Sequence, residues 1–178
     1  VLSATEDSRQ QTVLDLLPQH LRRRALFPVG RLDKDTTGLL LFTNDGELAH
    51  RLLSPKRHVW KTYEATVTGR LTAADEEAFA RGITLSDFTA LPARMEILSA
   101  GEDESRARVQ VREGKFHQIK RMFGALGHEV TALSRLTFGA LRLPAELPPG
   151  QYRELTEEEL SALREEAGLT EPERNEDA

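Results

Sequence analysis

The sequence predicts an α+β protein with a largely antiparallel sheet. Helical and strand patterns are mixed without a regular strand–helix–strand rhythm, and several predicted strands follow each other closely enough to form hairpins. Hydrophobic residues make up 39% of the 178 residues, which is enough to build the core of one compact domain. The sequence shows no internal repeat of the kind that builds solenoids.

The first third of the chain predicts two helices and two strands. Val1–Ala4 is typical of a strand, and Thr12–Leu17 predicts a short helix. Thr37–Thr43 is short and largely apolar, which indicates a buried strand. Either residue of the Asn44-Asp45 pair can cap the helix that follows, and this helix ends before Pro55.

The middle of the chain predicts three strands and a helix. His58–Thr68 alternates in polarity as a strand does, and Thr72–Arg81 predicts a helix that ends at Gly82. Met95–Leu98 and Arg106–Val111 predict two further strands. In the second of these, the alanine and the valines share one face and the arginines share the other.

The last third predicts a helix, a long β segment and a closing helix. Lys115–Leu126 predicts the first helix, and Val130–Leu143 reads as one extended segment. Thr156–Glu159 is a capping box, which predicts a final helix starting at that point.

Composition excludes several classes of chemistry. The chain has no cysteine, which excludes disulfides, zinc–thiolate sites and a cysteine nucleophile. The five histidines show no metal-ligand spacing, and no glycine-rich loop is present that could cradle a phosphate, so we expect neither a metal nor a cofactor. No apolar run approaches the length of a membrane span and no signal-peptide pattern opens the chain. We therefore expect a cytoplasmic protein without a membrane partner.

Charge is distributed unevenly along the chain. Residues 154–178 hold ten acids and two arginines, a local charge of −8, which leaves +3 of the total of −5 for residues 1–153. A mildly basic body with an acidic tail is common in proteins that bind nucleic acid, although a solvated helix with a disordered end explains the tail equally well.

Gly30–Gly38 is the densest cluster of charged residues, with two aspartates among two cations. If the backbone between Arg31 and Asp33 is extended, their side chains share one face. A nearby cation keeps an aspartate ionised when it is partly desolvated, as a nucleophile or general base requires. A simple turn would explain the same residues, because Asp and Thr favour turns and caps.

A basic helix forms the second candidate site. On this helix Phe116, Ile119 and Phe123 form an apolar stripe, and Lys120 lies at its edge, where its ammonium either reaches solvent or meets a carboxylate. Residues 106–121 hold six basic residues and one acid, a net charge of +5. Such a segment either binds phosphates or forms a solvated face.

Lys61-Thr62-Tyr63 is the third candidate. Tyr63 shares a strand face with Val59 and Val67, so its ring points toward the core or toward a cleft lined by that face. An aromatic ring in such a cleft can stack on a base, whereas most strand tyrosines pack in the core.

Together these motifs resemble the ribosomal RNA pseudouridine synthases of the RsuA type. The resemblance rests on Gly30–Asp33, Asp35–Leu40, Lys61-Thr62-Tyr63, Glu113–Met122 and the closing segment Leu147–Thr156. It extends over nearly the whole chain, and several ordered motifs at consistent spacing make it specific.

The resemblance implies a mixed, mostly antiparallel sheet with flanking helices, a central catalytic cleft and an isomerisation without a cofactor. The N1–C1′ bond of uridine breaks, the uracil rotates and C5 joins C1′. Asp33 matches the catalytic aspartate, which attacks the ribose or abstracts a proton from it. Lys120 matches the basic residue that pairs with this aspartate, and Tyr63 matches the tyrosine that stacks on the base. Arg31 matches the residue that fills the stack after the uridine flips out.

Ten residues are expected to contact substrate or RNA. They are Arg31, Lys61, Arg106, Arg108, Arg112, Lys115, His117, Gln118, Ile119 and Arg121. Of these, Ile119 is expected in the wall of the pocket.

The resemblance also implies a domain organisation and a partner. Residues 1–167 are expected to form the catalytic domain without its first strand or any N-terminal RNA-binding domain, and residues 168–178 a disordered acidic tail. The expected partner of a monomeric enzyme is ribosomal RNA, with His58 and the Phe116–Gln118 segment closer to the 16S type than to the 23S type. A non-catalytic ribosome-assembly module and an acidic protein-interaction domain remain open.

Overall fold

The molecule is built on a mixed sheet, seen in a computed structural model that describes residues 12–115 and 117–169. Within these residues the strand order is β2–β7–β4–β6–β5, and β8 pairs with β7. Only β2 and β7 are parallel, and the other pairs of this sheet are antiparallel. The predicted α+β class with a mixed, mostly antiparallel sheet is confirmed.

The elements occur in a fixed order along the chain. After a 3₁₀ helix at Val13–Leu16 they are α1 (Gln19–Arg22), β1 (Phe27–Pro28), β2 (Thr36–Gly38), β3 (Phe42–Thr43), α2 (Gly46–Leu53), β4 (Lys61–Thr68), α3 (Ala73–Arg81), β5 (Arg94–Ala100), β6 (Glu104–Val111), α4 (Gln118–Ala125), β7 (Val130–Phe138), β8 (Leu141–Arg142) and α5 (Glu157–Glu166).

The two faces of the sheet differ in polarity, as alternation along β6 predicts. Ala107 and Val109 are fully buried, whereas Arg106 and Arg108 are exposed. The buried face, called here the inner face, packs against residues of α3 and α4, including Phe79 and others of the main core. The opposite face, called the outer face, carries the arginines.

A second, smaller core lies beside the first. It is built from α2, α5 and the β7–β8 hairpin, with Leu52, Phe138 and Leu163 among its buried members. The predicted capping box starts α5, because the Thr156 hydroxyl accepts a hydrogen bond from the Glu159 amide at 3.1 Å and the Glu159 carboxylate accepts one from the Thr156 amide at 3.0 Å.

Most predicted elements are present, with shifted ends. The helices predicted at residues 72–81 and after Asp45 form as α3 and α2, with Thr72 and Asp45 as their N-caps. The helix predicted from Lys115 begins three residues later, at Gln118. The predicted strand at residues 1–4 and residues 170–178 of the tail predicted at residues 168–178 lie outside the described residues. Leu169, within that predicted tail, packs against the second core.

Two predicted strands are wrong as single elements. Thr37–Thr43 divides into β2, which pairs with β7, and β3, which pairs with β1 in a separate two-stranded sheet. The chain changes partner between them, because the Leu39 amide still donates to the carbonyl of Arg135 whereas the Leu41 carbonyl accepts from the amide of Val29. The segment predicted from Val130 to Leu143 folds back on itself, since Gly139, with φ of 58°, makes a tight turn between β7 and β8.

Two buried cations lie on the β4 and β7 strands. The side chains of Lys61 and Arg135 are 7% and 2% exposed, and their charged groups lie 5.2 Å and 5.3 Å from the centre of the Phe138 ring. Arg135 donates a 2.8 Å hydrogen bond from Nε to the carbonyl of Leu39. Burial, and then the charge of Arg135, lower the pKa of Lys61 from 10.5 to about 8.

This lowered pKa predicts a pH-dependent stability. Between pH 8 and 10.5 the unfolded chain binds more protons at Lys61 than the folded chain, so the free energy of unfolding rises with pH. Below pH 8 the buried charge costs up to about 3 kcal/mol. We therefore expect Lys61→Met to be more stable than the wild type at pH 7, with the difference shrinking toward pH 10.

Guanidinium denaturation from pH 7 to pH 10 measures this difference. The exposed Lys56 provides the matched control, since Lys56→Met removes the same charge from the surface. If the curves of wild type and Lys61→Met run parallel across this range, Lys61 does not carry the buried charge.

Candidate active site

Asp33 lies in a turn that leads directly into β2. The amide of Thr36 donates a 2.8 Å hydrogen bond to the carbonyl of Asp33, which closes a turn with Asp at its favoured first position. The Asp33 side chain is 29% exposed and lines a cavity of about 580 Å³. A half-buried carboxylate at the wall of a cavity can reach a ligand while it stays partly hydrated.

The imidazole of His117 lies beside the carboxylate of Asp33. The Nε2 atom of His117 lies 3.5 Å from Oδ1 of Asp33. His117 precedes α4 and has the left-handed backbone angles φ 47° and ψ 36°. A residue other than glycine pays in conformational energy for this backbone, and such residues concentrate at functional sites. The turn before α4 thus delivers an imidazole to the aspartate.

A compact hydrogen-bond network holds this turn in place. The Glu113 carboxylate accepts hydrogen bonds from the amide of Leu91 at 2.7 Å and from Gln118 Nε2 at 2.9 Å. The Gln118 side-chain oxygen accepts from the amide of Lys115 at 3.1 Å. Both ends of the Gln118 side chain are therefore used inside the protein. The predicted contact of Gln118 with RNA stays a prediction, and the part that Glu113 plays in this network was not predicted.

Two other predicted contact residues are buried. Ile119 is 6% exposed and packs in the main core beside Met122 and Phe123, rather than in the wall of the Asp33 cavity. Lys61 lies against Phe138, so its ammonium is not presented to a phosphate at the surface. Neither side chain is presented at the surface, and the predicted contacts of both with substrate or RNA stay predictions. Phe116, predicted in the same apolar stripe as Ile119, lies outside the described residues.

Lys120 follows His117 by three residues and lies in the first turn of α4. The predicted ion pair between Lys120 and Asp33 is not formed, since no carboxylate of the described residues lies within 4 Å of its ammonium. Arg31 is exposed in the loop before Asp33 and likewise forms no ion pair with it within residues 12–115.

Tyr63 lies on the inner face in the same cross-strand row as Gly38 of β2. Gly38 of β2 pairs with Arg135 of β7, and Arg135 pairs with Tyr63 of β4, so the three residues form one row across the sheet. Tyr63 is half-buried and packs against the main core. Arg135 was missed by the sequence analysis, although a charged residue two positions after the buried Leu133 on one strand face is a detectable signal.

The predicted basic patch divides between the outer face of the sheet and the start of α4. Arg106 and Arg108 project from the outer face, where they pair with Glu64 and Glu96. Arg112 is half-buried, with its guanidinium 5.3 Å from the centre of the Trp60 ring.

The remaining basic residues lie near the start of α4. Arg121 forms an ion pair with Asp87 and lies 5.5 Å from the Phe88 ring, and the hydrogen bond from Arg121 lowers the pKa of Asp87. The ammonium of Lys115 lies 5.9 Å from the same ring. Of the predicted basic patch, only Lys115 and Arg121 therefore lie near His117 in the chain, around the start of α4.

Two negative findings concern the described part of the chain. Within residues 12–115 and 117–169 no group of three His, Cys, Asp or Glu side chains is arranged to hold a metal ion. None of the described helices is long and apolar enough to span a bilayer.

The chain is similar in sequence and in architecture to known proteins. A family model described as RNA pseudouridylate synthase matches residues 1–125. The chain is 51% identical over 166 residues to the RNA pseudouridine synthase YtzG of Bacillus subtilis, covering 93% of this chain and 70% of that protein. It is 40% identical over 162 residues to ribosomal small subunit pseudouridine synthase A of Escherichia coli, covering 90% and 68%.

A solved structure titled as a pseudouridylate synthase superposes with a TM-score of 0.83 at 36% identity, covering 91% of this chain and 68% of that one. The family model covers both Asp33 and His117. The protein is a member of the RNA pseudouridylate synthase family.

Proposed function

We propose that the protein converts one uridine of small-subunit (16S) ribosomal RNA into pseudouridine. Two curated relatives, from Vibrio cholerae and Escherichia coli, carry the name ribosomal small subunit pseudouridine synthase A and are 43% and 40% identical to this chain. The observation that carries the proposal is the half-buried Asp33 at its cavity, held 3.5 Å from a histidine of the motif before α4.

The reaction rearranges bonds without changing the composition of the nucleotide. The N1–C1′ bond breaks, a C5–C1′ bond forms, C5 loses its hydrogen as a proton, and N1 gains a proton. Asp33 acts as the nucleophile at C1′ or as the base that removes a ribose proton, and either role requires the ionised carboxylate. A glycosidic bond inside a paired helix is out of reach, so the uridine first flips out of the stack.

We assign supporting roles to the residues around Asp33. Tyr63, in the row that includes Arg135 and Gly38, stacks on the flipped uracil. Lys120, in the first turn of α4 after His117, balances the charge of Asp33 when RNA closes the site. Arg31 is exposed at the end of this loop, where it can occupy the space that the uridine leaves.

Partners and location follow from this function. We infer that the protein works as a monomer in the cytoplasm, on free 16S RNA or on an assembly intermediate with ribosomal proteins. Arg31, Lys115, His117 and Arg121 are proposed as RNA contacts close to the target uridine. Target RNA from the large subunit is the second candidate, and assays on 16S and 23S RNA in parallel separate the two.

The first prediction concerns the aspartate itself. Asp33→Asn removes the ionisable carboxylate with almost no change in shape, so we expect no tritium release from 16S RNA labelled at C5 of uridine. Binding of the same RNA should stay close to that of the wild type. Asp35→Asn is the matched control, because Asp35 is an exposed aspartate of the same turn.

Substantial release by Asp33→Asn would reject Asp33 as the catalytic residue. Equal rescue of a deletion strain by wild type and Asp33→Asn would favour a non-catalytic assembly module instead.

A second prediction addresses His117. Asn adopts the left-handed backbone with little strain, so His117→Asn keeps the turn and removes the imidazole from Asp33. We expect kcat to fall by roughly tenfold, the effect of losing about 1.4 kcal/mol of interaction. Single-turnover kinetics with saturating enzyme measure the change, with RNA binding measured alongside. A wild-type rate would leave His117 only a role in the turn.

A third prediction concerns Lys120. Because its charge is proposed to stabilise the ionised Asp33, we expect Lys120→Met to lower kcat by about 10- to 100-fold, as for a lost charged hydrogen bond. Lys120→Arg keeps the charge and should retain most of the activity. Equal losses in both variants would show that the lysine acts through its shape rather than its charge.

A further inference from the structure

The outer face of the sheet holds a polar row that crosses five strands. Cross-strand pairs connect Arg142 to Thr137, Thr137 to Thr62, Thr62 to Gln110 and Gln110 to Arg94. Four strand spacings of about 4.8 Å separate the two arginines by about 19 Å, the length of roughly five or six stacked nucleotides. A groove of about 530 Å³ follows this row.

The two ends of the row carry positive charge that no acid balances. Among the described residues, no carboxylate lies within 4 Å of the guanidinium of Arg94 or Arg142, whereas Arg108 has Glu96 at 3.9 Å. Both end arginines are exposed. Arg94 lies 4.5 Å from the centre of the Trp60 ring, which restricts its position without neutralising it.

The Trp60 ring also positions a second cation. Arg112 lies 5.3 Å from the ring centre, and its Nε–H is buried without a hydrogen-bond partner among the described residues. Like charges held together on one indole repel each other, and an added anion relieves this repulsion. The Arg94 end of the groove is thus an electropositive site held in a defined geometry.

The groove is continuous with the candidate active site. Arg142 and Leu143 line both the outer groove and the cavity that contains Asp33. An RNA strand that passes out of the Asp33 cavity beside β8 therefore enters the groove on the outer face of the sheet. The outer face is a second surface that a long substrate reaches and a single nucleotide does not.

We propose that this groove binds the sugar–phosphate backbone of the substrate RNA next to the target uridine. Arg142 and Arg94 contact phosphates at its two ends, since planar guanidinium groups match phosphate oxygens in a forked geometry. The hydroxyl and amide groups between them face the riboses. The inference rests on the proposed function for the identity of the RNA, and it adds a binding site outside the catalytic residues.

The test compares two double variants of equal charge. Arg94→Gln combined with Arg142→Gln removes both ends of the row, and Arg70→Gln combined with Arg81→Gln removes two exposed arginines elsewhere. Binding of a labelled 16S fragment is measured between 50 and 300 mM salt. For single-stranded contacts we expect the slope of log K against log salt to become shallower by about 1.4 in the groove variant and to stay unchanged in the control.

Turnover separates this inference from the proposed function. We expect the groove variant to raise KM for a long 16S fragment more than for a short hairpin that ends near the target uridine. Product formation with the salt slope and KM of the control would overturn the groove while leaving the proposed activity intact. A shallower slope without product from any protein would retain the groove and reject the activity.

Two further outcomes bear on the identity of the partner. Displacement of RNA by polyglutamate of equal charge, as efficiently as by unlabelled RNA, would overturn the assignment to RNA. Thermal melting of both double variants close to that of the wild type is expected, because all four arginines are exposed.

Discussion

The pairing of β2 with β7 is the contact on which the site depends. At Gly38 the two backbones approach so closely that a Cβ atom would overlap the carbonyl of Arg135, and the φ of 109° at Gly38 suits glycine alone. Arg135 adds a side-chain hydrogen bond to the carbonyl of Leu39. This short parallel contact attaches the Asp33 turn to a sheet whose other strands pair in antiparallel fashion, and it places Gly38 in one cross-strand row with Tyr63.

Burial of two cations is the energetic cost of that arrangement. The side chains of Lys61 and Arg135 both lie against the Phe138 ring of the second core rather than beside a carboxylate. Ring and carbonyl contacts recover part of the desolvation energy, and the lowered pKa of Lys61 records the remainder.

The two sides of the sheet carry different sets of polar residues. On the inner side, the strained turn before α4 brings His117 to Asp33 and is held by Glu113 and Gln118. On the outer side, arginines occupy the exposed positions of strands whose other faces form the core. One strand can therefore support the catalytic side with one set of residues and present charge to RNA with the alternate set. Arg108 and Val109 lie on opposite faces because successive side chains of a β-strand point to opposite sides of the sheet.

The sequence by itself determined the fold class, the presence of most elements and the family. Local patterns suffice for these, since strand alternation, the capping box at Thr156 and the motif around Asp33 are each encoded within a few residues. Only the tertiary structure decided which charges meet. It placed His117 rather than Lys120 beside Asp33 and buried Lys61 and Gln118, because these outcomes depend on strand register and long-range packing rather than on sequence spacing.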